Sequence, residues 1–257
     1  MPVLRLNPLP GAVHLFDVRA QALAFLDRRG AAAPAWPPRA DLEGRRYLYY
    51  DILRSLHRFH AAHGGVPALD FGEGLRRWAL GFQRAHAGGL LPVSVNLRVN
   101  PRFHGHRNSC LDAWRAFFSH CEGRYPVAFI VTGAAAEVDP LLRGRANVVI
   151  AKDHHTDLLQ DLALVAGAAF HLGAASGPAT VSQFGVRPYH VFNCDASPHL
   201  SSYGGALAPV EDGELRFGFA APLQTIGVVP ETAELILRQF QRIWRARDWT
   251  VHATPGP

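Results

Sequence analysis

The chain has 257 residues, 48% of them hydrophobic, and a formal net charge of +5. That is enough for one large domain or two small ones with a real core, and no run approaches the roughly 18 apolar residues of a membrane span. The basic residues are spread along the chain with few aromatics among them, which argues against nucleic acid and fits an anionic small substrate.

The start, MPVLRLNPLPGAVHLF, has no basic head before a long apolar stretch, so no secretory signal is expected. Three scattered cysteines give neither a metal spacing nor a disulfide framework, which fits a reducing, cytoplasmic setting. All 26 basic residues except Lys152 are arginines, a bias that makes the lysine the exception.

Residues 1–45 are rich in Ala, Pro and Arg, and GAAAPAWPPRAD at 30–41 reads as a loop. Apolar residues at helical spacing predict helices over 46–60 and 71–86, with Gly64-Gly65 between them. Residues 1–90 thus read as a reduced, mostly helical N-terminal region. From Leu91 the pattern changes, and 91–257 reads as a second unit.

LPVSVNLRV reads as a strand running to Val99. Ser109–Cys121 reads as a helix, with Ser109 and Asp112 at capping-box spacing. Val127–Val131 is a strand ended by Thr132-Gly133, and Asn147–Ala151 is another. Thr156 opens a helix over 156–166, with Asp157 in its first turn. The run Ala168–Leu172 is a strand that stops at the small-residue loop Gly173–Pro178, followed by a helix to Gly185 and a strand over Tyr189–Phe192. Residues 200–229 read as irregular, with at most a hairpin around Glu211-Asp212-Gly213. Pro230–Arg245 reads as a terminal helix. Strands alternating with helices predict an α/β fold: a Rossmann-like parallel sheet with flanking helices and right-handed crossovers.

In such a sheet, ligands bind outside the carboxyl ends of the strands. Those ends carry Arg98 and Asn100, Thr132 and Gly133, Lys152 to His155, Gly173 to Pro178, and Asn193 to Asp195. In the fourth, glycines allow close backbone approach and Pro178 suits a first helical turn, so the loop suits a phosphate, or is an ordinary strand–helix turn.

Asn96, Arg98 and Asn100 alternate and should share one strand face. Arg98 can fork onto a phosphate or pair with Asp112. Lys152 suits a phosphate or base, and Asp153 or Asp157 a ribose hydroxyl, unless the acids cap a helix. Adjacent His154 and His155 do not usually point together and lack a third ligand at suitable spacing, so no metal is expected. His104-Gly105-His106-Arg107 is a basic loop that either closes on a substrate or is solvated. No G-x-G-x-x-G follows a strand, and neither a P-loop nor a G-x-S-x-G elbow is present.

Taken in order, PVSVNLRV, a helix, VAFIVTG, NVVIAKD, DLLQDLALVAGA and FHLGAASGPATVSQFGVRPYHVFN resemble the C-terminal, donor-binding domain of GT-B glycosyltransferases. The loop at 173–178 resembles the Ser-Gly-Pro loop of heptosyltransferase-like members. VNLR resembles the His-x-Arg strand of fucosyltransferase-like members, with Asn96 where those carry His. The resemblance covers roughly residues 91–195.

It implies transfer of a sugar from a nucleotide-sugar donor to an acceptor hydroxyl, with no metal or other cofactor. Arg98 would neutralise the leaving diphosphate. Asn96, Asn100, Thr132, Gly133, Lys152, Asp153, Gly173, Ser176, Gly177, Pro178 and Thr180 would hold the donor. The base on the acceptor would be His104, His154, His155 or an acid. A complete GT-B enzyme carries two similar domains, whereas here residues 1–90 read as helices and loops. The alternative is therefore a non-catalytic nucleotide-binding or scaffold protein built on a GT-B half.

Overall fold

The computed structural model describes residues 18–29, 49–102, 105–194, 207–210 and 214–246. Among the described residues, three helices come first: α1 (Arg19–Arg29), α2 (Tyr49–His63) and α3 (Gly72–His86). An alternating run follows: β1 (Leu91–Asn96), α4 (Leu111–Cys121), β2 (Val127–Thr132), β3 (Val148–Ile150), α5 (Leu158–Gly167), β4 (Phe170–Ala174), α6 (Gly177–Gln183) and β5 (Tyr189–Phe192). β6 (Leu207–Pro209), β7 (Glu214–Phe217), β8 (Gln224–Gly227) and α7 (Ala233–Arg245) complete the described elements.

The strands form one sheet in the order β3-β2-β1-β4-β5-β8-β7-β6. The first six are parallel, and β7 and β6 continue antiparallel. The predicted Rossmann-like α/β sheet is therefore present.

The parallel strands are mostly buried on both faces between two helical layers, with Ser94, Asn96, His171 and His190 among the polar exceptions. On β2, Phe129 and Val131 face one layer and Ile130 the other. Trp114, Phe117, Phe118 and Cys121 of α4 recur at helical spacing and are fully buried. They meet Ile236, Phe240 and Ile243 of α7 across this first layer, with Phe117 and Phe240 edge-to-face at 5.5 Å. The opposite layer holds α3, α5 and α6, where Phe82, Leu162, Leu164 and Val181 pack on Ile130. The last helix of the N-terminal segment thus packs directly on the sheet's helical layer.

Four local expectations change. First, β1 ends at Asn96, not Val99. Beyond it the backbone leaves the ladder: the Arg98 N–H donates to Ser109 Oγ (3.1 Å), Val99 N–H to Glu137 Oε1 (3.3 Å) and Asn100 N–H to Asn108 Oδ1 (2.9 Å). Arg98 and Asn100 therefore do not share a strand face with Asn96.

Second, Ser109 and Asp112 form no capping box. Cys110 holds the N-cap position without a side-chain bond, Ser109 is taken by Arg98, and Asp112 pairs with Arg115 at 2.8 Å. Third, α5 is opened by Asp157, not Thr156, and Asp157 forms a capping box with Gln160.

Fourth, the stretch read as irregular contains the three strands β6 to β8. Residues 211–213, where the hairpin was placed, lie outside the described residues. The strands on either side pair antiparallel, Leu207 opposite Phe217 and Pro209 opposite Leu215. No helix among the described residues is long and apolar enough to cross a membrane.

Candidate functional site

The strand order reverses direction between β1 and β4. The chain leaves β1 for α4 on one face and leaves β4 for α6 on the other. The two loops diverge there and open a crevice at the carboxyl ends of the strands. A cleft of about 370 Å3 occupies that point.

Its walls come from four strand ends. Asn96, Leu97 and Arg98 follow β1, Gly133, Ala134 and Glu137 follow β2, and Lys152 follows β3. Ser176, Gly177 and Pro178 follow β4, and Leu158 and Asp161 come from α5. Seven of the expected site residues, Arg98 and the donor-site residues Asn96, Gly133, Lys152, Ser176, Gly177 and Pro178, therefore line one cleft.

The others are placed differently. Thr132 is buried and donates to the Val95 carbonyl at 3.4 Å. Asn100 accepts from the Arg102 N–H at 2.9 Å and so turns its own loop. Thr180 donates to the Ser176 carbonyl at 3.3 Å. Asp153 is clasped by Arg143 through two bonds of 3.0 and 2.8 Å, which hold its carboxyl below the usual carboxylate range. Gly173 lies inside β4, opposite Asn96. His104 and Asp195 lie outside the described residues. His154 lies against His86 with the rings tilted by 36° and their centres 3.9 Å apart, and His155 takes a left-handed backbone.

Lys152 meets a partner that the sequence did not announce. Its Nζ lies 2.8 Å from Asp161 Oδ2 and donates to the Thr156 carbonyl at 2.6 Å. Asp161 also accepts from the Thr156 hydroxyl at 2.5 Å and from the Gly133 N–H at 3.4 Å. A carboxylate that is only 2% exposed needs such a set, because an unpaired buried charge is prohibitive. The ion pair fixes the lysine against the wall and ties the ends of β2 and β3 to α5. Asp161 sits among the apolar residues of DLLQDLALVA, and that was the signal available for it.

Arg98, Lys152, Glu137 and Asp161 all line the cleft, so its wall is mixed in charge. Lys152 is paired to Asp161, and Arg98 belongs to the same lining. The loop bearing Arg98 is anchored at several points. Asn193, at the end of β5, donates to the Asn108 carbonyl at 3.0 Å and accepts from the Glu231 N–H at 3.1 Å. The Glu231 carboxylate in turn accepts from the Cys110 N–H. Burial pushes the Glu231 carboxyl up to about 7, against the opposing pull of Cys110, Trp114, Asn193 and Ser109.

Ser176 holds the N-cap position of α6 but makes no capping bond. Its Oγ accepts instead from Asn96 Nδ2 at 2.7 Å, a bond that crosses from β1 to the loop after β4. The helix it opens has only seven residues, so its aligned dipoles are few. The preceding residue, Ala175, accepts at its carbonyl from Arg107 Nη2 at 2.7 Å. The basic loop after β1 is thus tied, through Arg107, to the small-residue loop.

No family model matches the chain, and no curated protein does. Two solved structures are similar to it. One is the E. coli ADP-heptose lipopolysaccharide heptosyltransferase II, 13% identical over 70% of this chain and 54% of that one, with a TM-score of 0.47. The other is the E. coli heptosyltransferase WaaC with ADP-2-deoxy-2-fluoro heptose, 16% identical over 65% of this chain and 47% of that one, with a TM-score of 0.42. The chain spans about half the length of each. Both are heptosyltransferases, a kind of enzyme that the motifs of this chain resemble. A likeness of that extent carries no chemistry, which has to come from the cleft itself.

Proposed function

We propose that the cleft holds the nucleoside diphosphate part of a nucleotide sugar, and that the chain is the donor-binding half of a glycosyltransferase acting on an acceptor hydroxyl. One observation carries this reading. At the reversal point of a doubly wound sheet, Arg98, Ser176 and the small residues Gly133 and Gly177 line one cleft. Arg98 supplies a forked cation for phosphate oxygens. Ser176 and the backbone at Gly177 supply donors, and Glu137 supplies an acceptor for a ribose or sugar hydroxyl.

In transfer, the bond between the sugar and the diphosphate breaks, and negative charge builds on the departing diphosphate. Groups placed beforehand around that charge lower the barrier without covalent chemistry or a metal. His104, His154, His155 or an acid stays the candidate to take the acceptor's proton. Calorimetric titration with ADP, GDP, UDP, CDP and TDP tests the reading. One of them should bind, and Arg98→Ala should weaken that binding at least tenfold. Absence of binding by all five would sink it.

A second reading, a nucleotide-binding module without transferase activity, is favoured by one observation. The described residues ahead of β1 form helices only, with no second sheet to face the cleft. Retention of a bound nucleotide sugar with no release of nucleoside diphosphate, across a panel of acceptors, would select it.

A further inference from the structure

Three buried side chains lead from inside the sheet to the cleft wall. Ser94 and Asn96 on β1 and His171 on β4 are each at most 2% exposed, so their polar atoms must be satisfied by the protein. One backbone group fixes the direction of the whole chain. The Asn96 amide lies 3.3 Å from the Ala174 carbonyl, which can only accept, so the atom facing it is the NH2 nitrogen.

The amide oxygen therefore faces His171 Nε2 at 3.1 Å, and that nitrogen must carry the hydrogen. In a neutral ring, Nδ1 then accepts. The Ser94 hydroxyl, 2.9 Å away, donates to it in preference to the Phe170 carbonyl at 3.5 Å. The ring is neutral because burial holds its basicity down to about 3. At the other end, the Asn96 NH2 also donates to Ser176 Oγ at 2.7 Å. A hydroxyl has one hydrogen, and an oxygen that already accepts from Asn96 turns that hydrogen elsewhere.

Gly173 makes the arrangement fit. A Cβ at that position would lie 2.6 Å from Asn96 Oδ1 and 2.6 Å from the Asn96 carbonyl oxygen. Only a glycine lets the amide lie against β4.

We propose that Ser94, His171 and Asn96 form a one-way hydrogen-bond relay that presents the Ser176 hydroxyl to the cleft as a donor, so that the ligand atom seated there is an anionic phosphate oxygen. Ser94, His171 and Asn96 are positioning residues, and Ser176 makes the contact. The ligand half of the inference rests on the diphosphate reading of the cleft, whereas the direction of the relay does not.

Two measurements on the full chain separate them. Nitrogen-15 spectra of the histidine rings should show His171 neutral, with its hydrogen on Nε2, between pH 5 and 8. A hydrogen on Nδ1, or titration within that range, overturns the relay whatever the cleft binds.

The second measurement is calorimetry with inorganic pyrophosphate. Ser176→Ala should weaken binding about tenfold, the scale of one hydrogen bond to a charged group. In an Asn96→Asp background the carboxylate would draw the Ser176 hydrogen to itself, so the same Ser176→Ala change should then cost less than twofold. An equal cost in both backgrounds overturns the relay and leaves the diphosphate reading standing. No binding of pyrophosphate to the unaltered protein overturns the ligand half and the diphosphate reading together. If Asn96→Asp fails to fold, the ring spectra still decide the relay.

Discussion

Two histidines in adjacent strands of the same sheet, His171 on β4 and His190 on β5, are both essentially unexposed and both held neutral by burial. Their surroundings differ. His171 is wired through neutral groups, Ser94 and Asn96, to the wall of the cleft. His190 meets Thr225 Oγ at 2.8 Å, beside a charged cluster in which Arg242 donates to Glu214 at 2.6 Å and to Thr225 at 2.6 Å. The guanidiniums of Arg242 and Arg238 press its basicity down further. The first network ends at a candidate ligand, and the second ends in a cross-link between α7 and the β7–β8 edge. A buried histidine takes its meaning from where its hydrogen bonds lead.

Both rings should respond alike to acid. Each binds its proton less readily folded than unfolded, so the stability tied to it is fully present above the unfolded value near 6.5 and is lost as pH falls through the folded value. For His171, a drop from the ordinary value to about 3 corresponds to about 5 kcal/mol at most. Urea titrations from pH 7 down to 4 should show a steep fall in stability. A flat profile would mean that neither ring is held neutral.

Glu231 should oppose this trend. Its folded value, about 7, lies above the ordinary glutamate value, so the folded state holds the proton more tightly. Stability tied to this group is therefore greatest at low pH and declines as pH rises towards about 7, by about 3 kcal/mol. Glu231→Gln should raise the melting temperature at pH 8 and leave it nearly unchanged at pH 4.5. An equal shift at both would remove the carboxyl from the account.

The two networks can also be set apart by function. Glu214→Gln removes one partner of a largely buried ion pair and should cost about 2 kcal/mol in urea unfolding. It should leave nucleoside diphosphate affinity unchanged in the folded protein. Ser94→Ala and Thr225→Ala each remove a hydroxyl from a buried ring and should cost about 1 kcal/mol apiece. Only the former should also weaken pyrophosphate binding. A matched loss of affinity in both would erase the distinction between the histidines.

The central strands were legible because each is a mostly apolar run between small or polar residues, a pattern that burial on both faces favours. β6 to β8 were not, since LAP, ELRF and QTIG mix polar, Pro and Gly residues with apolar ones and form no apolar run. The end of β1 was misplaced because its backbone donors leave the ladder for Ser109, Glu137 and Asn108, side chains up to 38 positions away. The rule about strand ends brought Arg98, Lys152 and Ser176 to one place. It could not bring in Asp161, Glu137 or Arg107, whose partners are set by tertiary approach. His171 stood in plain view within AFHLGA, a lone polar ring in a central strand, and its direction of bonding needed the Ala174 carbonyl.

Gly173 has a consequence for inheritance. A side chain at 173 would meet the backbone oxygen and nitrogen of residue 96 as well as its amide, so no exchange at 96 makes room for one. The glycine is required whatever stands at 96, whereas the asparagine is required only by the hydrogen bonds that it makes. A sequence that kept the glycine but lost the asparagine would keep the fold and lose the donor.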